Sequence, residues 1–259
     1  MLLSRLFLLR ENYTTINLTP MFRADTPVEQ SAHTVSSEML TPVRRNLQFV
    51  FITISGLIYN QSFIRILPLY ISLLIALLQA EVNRYANLVG GLNAIIYSVV
   101  YLHYNLYAMA AYALIVSFPL QIVTFILWNK QPWQNSTVLK RFSNAKRAIL
   151  IIGTIIAWGI ICYFLSGTDS SHKELDTAVT VEGVVETVLT LFSYLEYTVF
   201  TFAGTVFSTL LYVMMLKDTP EQMTYLGYSV YSMICTLVAL INANNIYREQ
   251  NKLAKSQET

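Results

Sequence analysis

The chain has 259 residues, of which 54% are hydrophobic and only 12% are charged. Soluble domains carry about 25% charged residues, so this composition, with a mean hydropathy of +0.48, excludes a water-soluble globule. The formal net charge of +2 gives no footing for a nucleic-acid partner. Two cysteines in separate apolar runs, Cys162 and Cys235, and three scattered histidines, His33, His103 and His172, support neither a disulfide framework nor a metal cluster.

In chain order, residues 1–43 read as a tail. Met1–Leu9 is apolar but is interrupted by Arg5 and bounded by Arg10. It is too short and too charged for a signal-peptide core and suits a surface amphipathic turn. Eight apolar segments follow: Asn46–Tyr59, Ile66–Tyr85, Leu88–Leu102, Leu106–Trp128, Ala148–Leu165, Ala178–Tyr194, Tyr197–Leu216 and Met223–Ile246. A bilayer core takes about 20 helical residues, with a range of about 17–25. Most segments fit; the first spans only if it runs on through Asn60, Gln61 and Ser62.

Basic residues set the orientation, because cytoplasmic loops collect Lys and Arg. If all eight segments span, Arg44, Arg45, Arg84, Lys130, Lys140, Arg141, Lys146, Arg147, Arg248, Lys252 and Lys255 share one side, against Arg65, Lys173 and Lys217 on the other. Eleven against three places both termini in the cytoplasm. The loop 167–182, with Asp169, Glu174 and Asp176, suits the outer face.

The spacing groups the helices three, one, three. We expect an all-α, polytopic membrane protein with seven core helices in a 3+1+3 arrangement and a further helix at 44–65 if that segment spans. Residues 66–128 form the first three-helix unit, 129–176 a basic cytoplasmic loop and linker helix, 177–246 the second unit, and 247–259 a cytoplasmic tail. The odd central helix lets the two units lie parallel, with a substrate path on the pseudo-twofold axis between them.

A thin polar line runs through the first unit. Polar groups in hydrocarbon must find partners. Asn93 and Tyr97, four residues apart, share one helix face, and Gln121 lies beside Pro119, which bends a helix and frees a carbonyl. In the second unit Thr198, Thr201 and Thr205 also share a face. With Tyr107 these are the candidate substrate contacts. Asn93 and Tyr97 alternatively bond only across helices, Gln121 only serves the freed carbonyl, and the threonines bond only their own backbone; Tyr107 alternatively anchors at the interface, as Trp128 and Trp133 do in an aromatic belt. Glu186, inside an apolar run, either couples transport to protons or attracts a cationic base, or it is solvated near the outer mouth. Glu196 is expected to cap locally or to pair with Arg84 or Lys130.

The stretches Gly91-Leu92-Asn93-Ala94-Ile95-Ile96-Tyr97, Leu106-Tyr107, Pro119-Leu120-Gln121 and Trp128-Asn129-Lys130 resemble the PnuC-type vitamin transporters, best known for nicotinamide riboside. The likeness covers roughly residues 66–246 and is better in the first unit. It implies seven core helices in the 3+1+3 order similar to the SWEET sugar carriers. It also implies facilitated diffusion of a nucleoside-like vitamin, with a cytoplasmic kinase trapping it. Members carrying nicotinamide riboside show E-x-W-x-x-W-x-x-x-N at the start of the sixth core helix. Here Glu196-Tyr197 leads to Thr198, Thr201 and Thr205, and threonines bond a sugar hydroxyl but do not stack on a base. A deoxyribonucleoside, thiamine or riboflavin therefore stays open as substrate beside nicotinamide riboside.

No HExxH and no Ser–His pair lies in the spans, so an enzyme is not expected, nor a cofactor. The partners are the bilayer and a small substrate, and a homo-oligomer is compatible with them. A non-transporting receptor or subunit of a larger complex is the competing class. The expected location is the plasma or inner membrane.

Overall fold

The computed structural model describes residues 42–167 and 172–258. The expected tail up to residue 41, the Met1–Leu9 turn within it, and Asp169 lie outside the described residues. Among the described residues are eight long helices: α1 (Pro42–Ile58), α2 (Phe63–Ala80), α3 (Tyr85–His103), α4 (Tyr107–Lys130), α5 (Asn144–Phe164), α6 (Lys173–Leu191), α7 (Tyr197–Met215) and α8 (Met223–Glu258). A small hairpin of β1 (Pro132–Trp133) and β2 (Ser136–Thr137) separates α4 from α5.

Six helices, α2, α3, α4, α5, α7 and α8, are long and apolar enough to cross a membrane. The equally long α6 carries Lys173, Glu174, Asp176, Glu182 and Glu186. Its polarity is tolerated because protein covers it. Helix α2 packs on α3, α3 on α4, α4 on α6, α6 on α7, α7 on α8, and α8 back on α2, which closes a six-helix ring. Helix α5 lies outside the ring against α6 with none of its residues fully buried, and the isoleucines of its other faces, such as Ile149, Ile152, Ile156 and Ile160, are exposed. Helix α1 lies outside against α2 and α8. The order is three, one, three.

The α2–α3 and α6–α7 turns close with the same backbone hydrogen bonds, which the turns at Asn60 and Asn105 also make. The α2–α3 turn puts Val82 at φ 54°, and the α6–α7 turn puts Ser193 at φ 60°. In each, the left-handed residue donates to the carbonyl three back (Val82 to Gln79, 2.9 Å; Ser193 to Thr190, 3.0 Å) and the next residue to the one five back (Asn83 to Leu78, 2.8 Å; Tyr194 to Leu189, 2.9 Å). This is the Schellman pattern, which satisfies the last carbonyls of a helix. The turns lie 111 residues apart, 82 to 193, and that offset relates α2–α3 to α6–α7.

The larger apolar cluster starts at the end opposite the basic loops and runs along α2 and α8 as deep as Ala80 and Val238; a smaller one lies at the basic end. At the end opposite the basic loops, Leu73, Val100, Tyr104, Met109, Leu211, Tyr212, Met215 and Tyr225 pack together, with Tyr97, Tyr101 and Val179 against them. At the basic end, Val82, Trp128, Leu189, Leu195, Tyr197 and Ala243 form a second cluster.

Several expectations change. Helix α1 stops at Ile58 and turns through Asn60 at φ 47°, so it does not run on through residues 60–62. Its 17 residues span about 26 Å, just short of a ~30 Å hydrocarbon core. Helix α8 continues to Glu258 where a tail was expected. Gln250 on that extension accepts from the Leu139 N–H (3.0 Å) and donates to the Thr137 carbonyl (3.1 Å), which ties the basic loop down. Trp128 is no belt residue: it is 2% exposed and donates its indole N–H to the Thr190 carbonyl, 2.9 Å away. Trp133 is also buried. Asp176 is no loop acid. It is buried on α6 and accepts the Ala108 (3.2 Å) and Met109 (3.0 Å) N–H groups, so it caps α4 from the other unit. Glu196 pairs with Arg147 (2.8 Å) and accepts the Phe142 N–H (3.1 Å), where Arg84 or Lys130 had been expected.

Candidate functional site

Polar side chains interrupt the apolar packing of the ring. In the first unit the centre is Ser72 on α2. Its hydroxyl meets the Tyr97 hydroxyl at 3.0 Å and accepts from Asn93 Nδ2 at 3.0 Å, and its carbonyl accepts the Tyr228 hydroxyl at 3.3 Å. Asn93 Nδ2 donates a second time, to the Pro68 carbonyl at 3.1 Å. Both amide hydrogens of this buried residue thus tie α3 to α2, while its Oδ1 has no protein partner. Tyr97 is half-buried and stacks on Tyr101, with centroids 5.3 Å apart.

Helix α4 bends where its sequence demands. Pro119 has no N–H, and a π-helical turn at Tyr112–Ser117 precedes it. The turn carries Tyr112 across to α6, where its hydroxyl meets Thr187 Oγ1 at 2.9 Å. Gly183 makes room: a Cβ there would lie 2.8 Å from the Tyr112 ring. Gln121 donates to Ser117 Oγ at 2.6 Å and lies over Gly90 of α3, so it serves the α3–α4 contact.

In the second unit two carboxylates sit on one face of α6. Glu182 is nine residues from either end of that helix and is 5% exposed. Its carboxyl occupies the space that a Cβ at Gly204 on α7 would take, and its Oε1 has no partner. Glu186 is half-buried and is faced by Tyr112 from α4 and by Thr201 and Tyr197 from α7. A side chain that reaches both ring neighbours of α6 lies on its inward face. Glu186 is therefore inside the ring and nearer the basic end, not in a solvated outer mouth. An acidic side chain at the centre of a membrane helix costs about 3 kcal/mol on insertion scales, so two on one face ask for an explanation.

The threonines divide. Thr201 bonds the Tyr197 carbonyl (2.9 Å) and faces Glu186; Thr205 bonds the Phe202 carbonyl (2.8 Å) and meets Thr236 of α8 at 3.2 Å. Thr198 is buried one turn into α7 at the basic end, bonded to Leu195, beside a lateral cavity with Arg141, Arg147 and Leu150. Tyr107 is exposed at the far end, its hydroxyl donating to Asn105 Oδ1 at 3.1 Å. The structure thus gathers Asn93 with Tyr97 at mid-depth, and Thr201 with Glu186 nearer the basic end. It leaves Thr198 and Tyr107 at opposite ends. Sequence reasoning passed over Glu182, Ser72 and Tyr212; Tyr101 and Tyr112 belonged to the polar line it saw in the first unit but were not among its candidate contacts. The i, i+4 spacing of Glu182 and Glu186 was the available signal.

Among the described residues no group of three His, Cys, Asp or Glu side chains is placed to hold a metal ion.

The sequence model of the family described as "Nicotinamide mononucleotide transporter" matches residues 62–245. No curated protein matches the chain in sequence. Among solved structures, the crystal structure of the vitamin B3 transporter PnuC is similar, with a TM-score of 0.67, 16% identity, and 81% of this chain and 93% of that one covered. At that identity the likeness speaks for the fold.

Proposed function

The chain belongs to the nicotinamide mononucleotide transporter family, and from that premise we propose that it takes up a nucleoside-like vitamin by facilitated diffusion, with nicotinamide riboside as the first candidate. Thiamine, riboflavin and deoxyribonucleosides are the alternatives, because the threonine face on α7 replaces the aromatic pair of the nicotinamide riboside carriers.

One observation supports this reading most. Polar side chains of Ser72, Asn93, Tyr97, Tyr112, Glu186 and Thr201 interrupt the apolar packing of a six-helix ring whose two ends are both packed with apolar residues. A carrier of this kind binds at mid-depth and opens one end at a time. Opening the basic end separates Trp128 from Thr190; opening the other separates the tyrosine cluster. The basic end faces the cytoplasm of the plasma or inner membrane on the balance of lysines and arginines. Without an energy source the carrier equalises free substrate across the bilayer, so net accumulation comes from a cytoplasmic kinase that adds a charged phosphate to it.

Purified protein in liposomes, supplied with labelled nicotinamide riboside and neither ATP nor an ion gradient, is expected to show saturable flux that stops at equal concentrations. Accumulation above the outside level, or tight binding without flux, contradicts facilitated diffusion.

A further inference from the structure

We propose that Glu182 and Glu186 form a cation subsite, so that the substrate of this carrier is a flat, permanently charged heterocyclic cation rather than a neutral nucleoside. The proposal rests on the carrier reading and narrows its substrate class.

Four observations carry it. First, the two carboxylates are one helical turn apart on the inward face of α6. Second, no cationic side chain among the described residues pairs with them. The ion pairs among the described residues, Arg65–Glu221, His172–Asp218 and Arg147–Glu196, all lie at the two ends. The groups that face the pair are Tyr112 from α4 and Tyr197 and Thr201 from α7, all uncharged. Third, Glu182 Oε1 is buried without any partner, although the residue is 95% shielded. A buried acceptor left unpaired is costly, and here the fold makes room for it: glycine at 204 is what lets the carboxyl lie against α7. Fourth, two tyrosines stand beside Glu186, and the faces of phenol rings attract cations.

An incoming positive ring supplies what the site lacks. Its charge offsets the carboxylates in a low-dielectric interior, where Coulomb attraction is strong, with the phenols of Tyr112 and Tyr197 close by. A neutral nucleoside offers none of this compensation and leaves the pair as it was. Nicotinamide riboside, a pyridinium, and thiamine, a thiazolium, meet the requirement; riboflavin and deoxyribonucleosides do not.

The test compares charge at constant shape. Calorimetric titration of the purified full-length chain in detergent is run with nicotinamide riboside and with its uncharged 1,4-dihydro form. A second run uses thiamine against deoxyuridine. At least one of the two cations is expected to bind, and at least tenfold more tightly than its uncharged counterpart. Glu186→Gln and Glu182→Gln are each expected to weaken that cation at least tenfold and to leave the uncharged compound within twofold. Equal or tighter binding of the uncharged form by the unmodified protein overturns the proposal. So does the failure of both cations to bind, or cation affinity within threefold of the parent in both glutamine variants. The comparison on unmodified protein needs no variant to fold. Flux separates the two levels: cation binding without flux in liposomes sinks the carrier and leaves the subsite, while deoxyuridine flux without cation preference does the reverse.

Discussion

Tyr101 on α3 and Tyr212 on α7 occupy equivalent positions in the two units, 111 residues apart, and their side chains face each other across the seam of the far-end apolar cluster. Two residues related by an approximate twofold axis can touch only where they flank that axis. The pair therefore marks the axis within the apolar cluster at the far end. It also says why the cluster closes: each unit contributes the same residue to one seam.

Tyr101→Phe and Tyr212→Phe should therefore act as one change. Each removes one of two hydroxyls that face each other, where a polar contact is worth about 1 kcal/mol. Because the contact is common to both, the double variant should resemble either single one in uptake rate and melting temperature, as groups that share a partner do not add. Additive effects in this double-mutant cycle show that the hydroxyls work through separate partners.

Arg65 Nη1 reaches both Glu221 oxygens, at 2.9 and 3.0 Å, and Tyr104 donates to the same carboxylate at 2.9 Å. This joins α2 and α3 of the first unit to the head of α8 in the second. Both charged side chains are about one quarter exposed, so the ion pair contributes only about 0–1 kcal/mol to stability. Its larger consequence is for opening. Glu221→Gln should speed maleimide labelling of Cys235, which is wholly buried in the adjoining cluster, severalfold in a Cys162→Ser background, with little loss of melting temperature. An unchanged labelling rate means the latch does not control that end.

Gly204 should not accept a methyl group while Glu182 is present. The Cβ would run into the Glu182 carboxyl, and overpacking of this kind costs about 1–3 kcal/mol. Gly204→Ala should lower the melting temperature, and Glu182→Ala should restore part of the loss by emptying that space. The measurement is the melting curve of the two single variants and the double one. If Gly204→Ala alone melts like the parent, the carboxyl is not seated against α7.

The architecture was legible because hydrocarbon imposes length and composition on each span, and the loops are too short to allow other groupings. What escaped was chemistry that depends on contact. Asp176 reads as a loop acid until α4 is seen to end its first turn on it. Trp128 reads as a membrane anchor until Thr190 is found to accept its N–H. Glu182 stood both inside the span Ala178–Tyr194 and at the end of the loop 167–182, and its unpartnered Oε1 shows only once α7 is packed against it. The repeat was invisible in residue identities because the matching turns carry unlike side chains: Val82 and Ser193 share a left-handed turn and nothing else. The family likeness around Gly91–Tyr97 was visible for the opposite reason. Gly90 and Gly91 admit Gln121 and the α4 backbone at close range, so small residues were fixed in order there.

Asn93 and Tyr107 separate the two kinds of candidate. Asn93 spends both amide hydrogens on α2 and keeps one buried, unpaired acceptor. Asn93→Leu loses two hydrogen bonds and the only free acceptor together. It should lower the melting temperature and also raise KM for the transported substrate at least tenfold, because a substrate hydroxyl or amide has lost its acceptor. Tyr107, exposed at the far end and bonded only to Asn105, should tolerate Tyr107→Phe with KM and melting temperature both within error of the parent. Were Asn93→Leu to lower the melting temperature while leaving KM unchanged, Asn93 would be a strut between α2 and α3 alone, and the substrate's hydrogen bonds would have to be sought nearer Thr201 and Glu186.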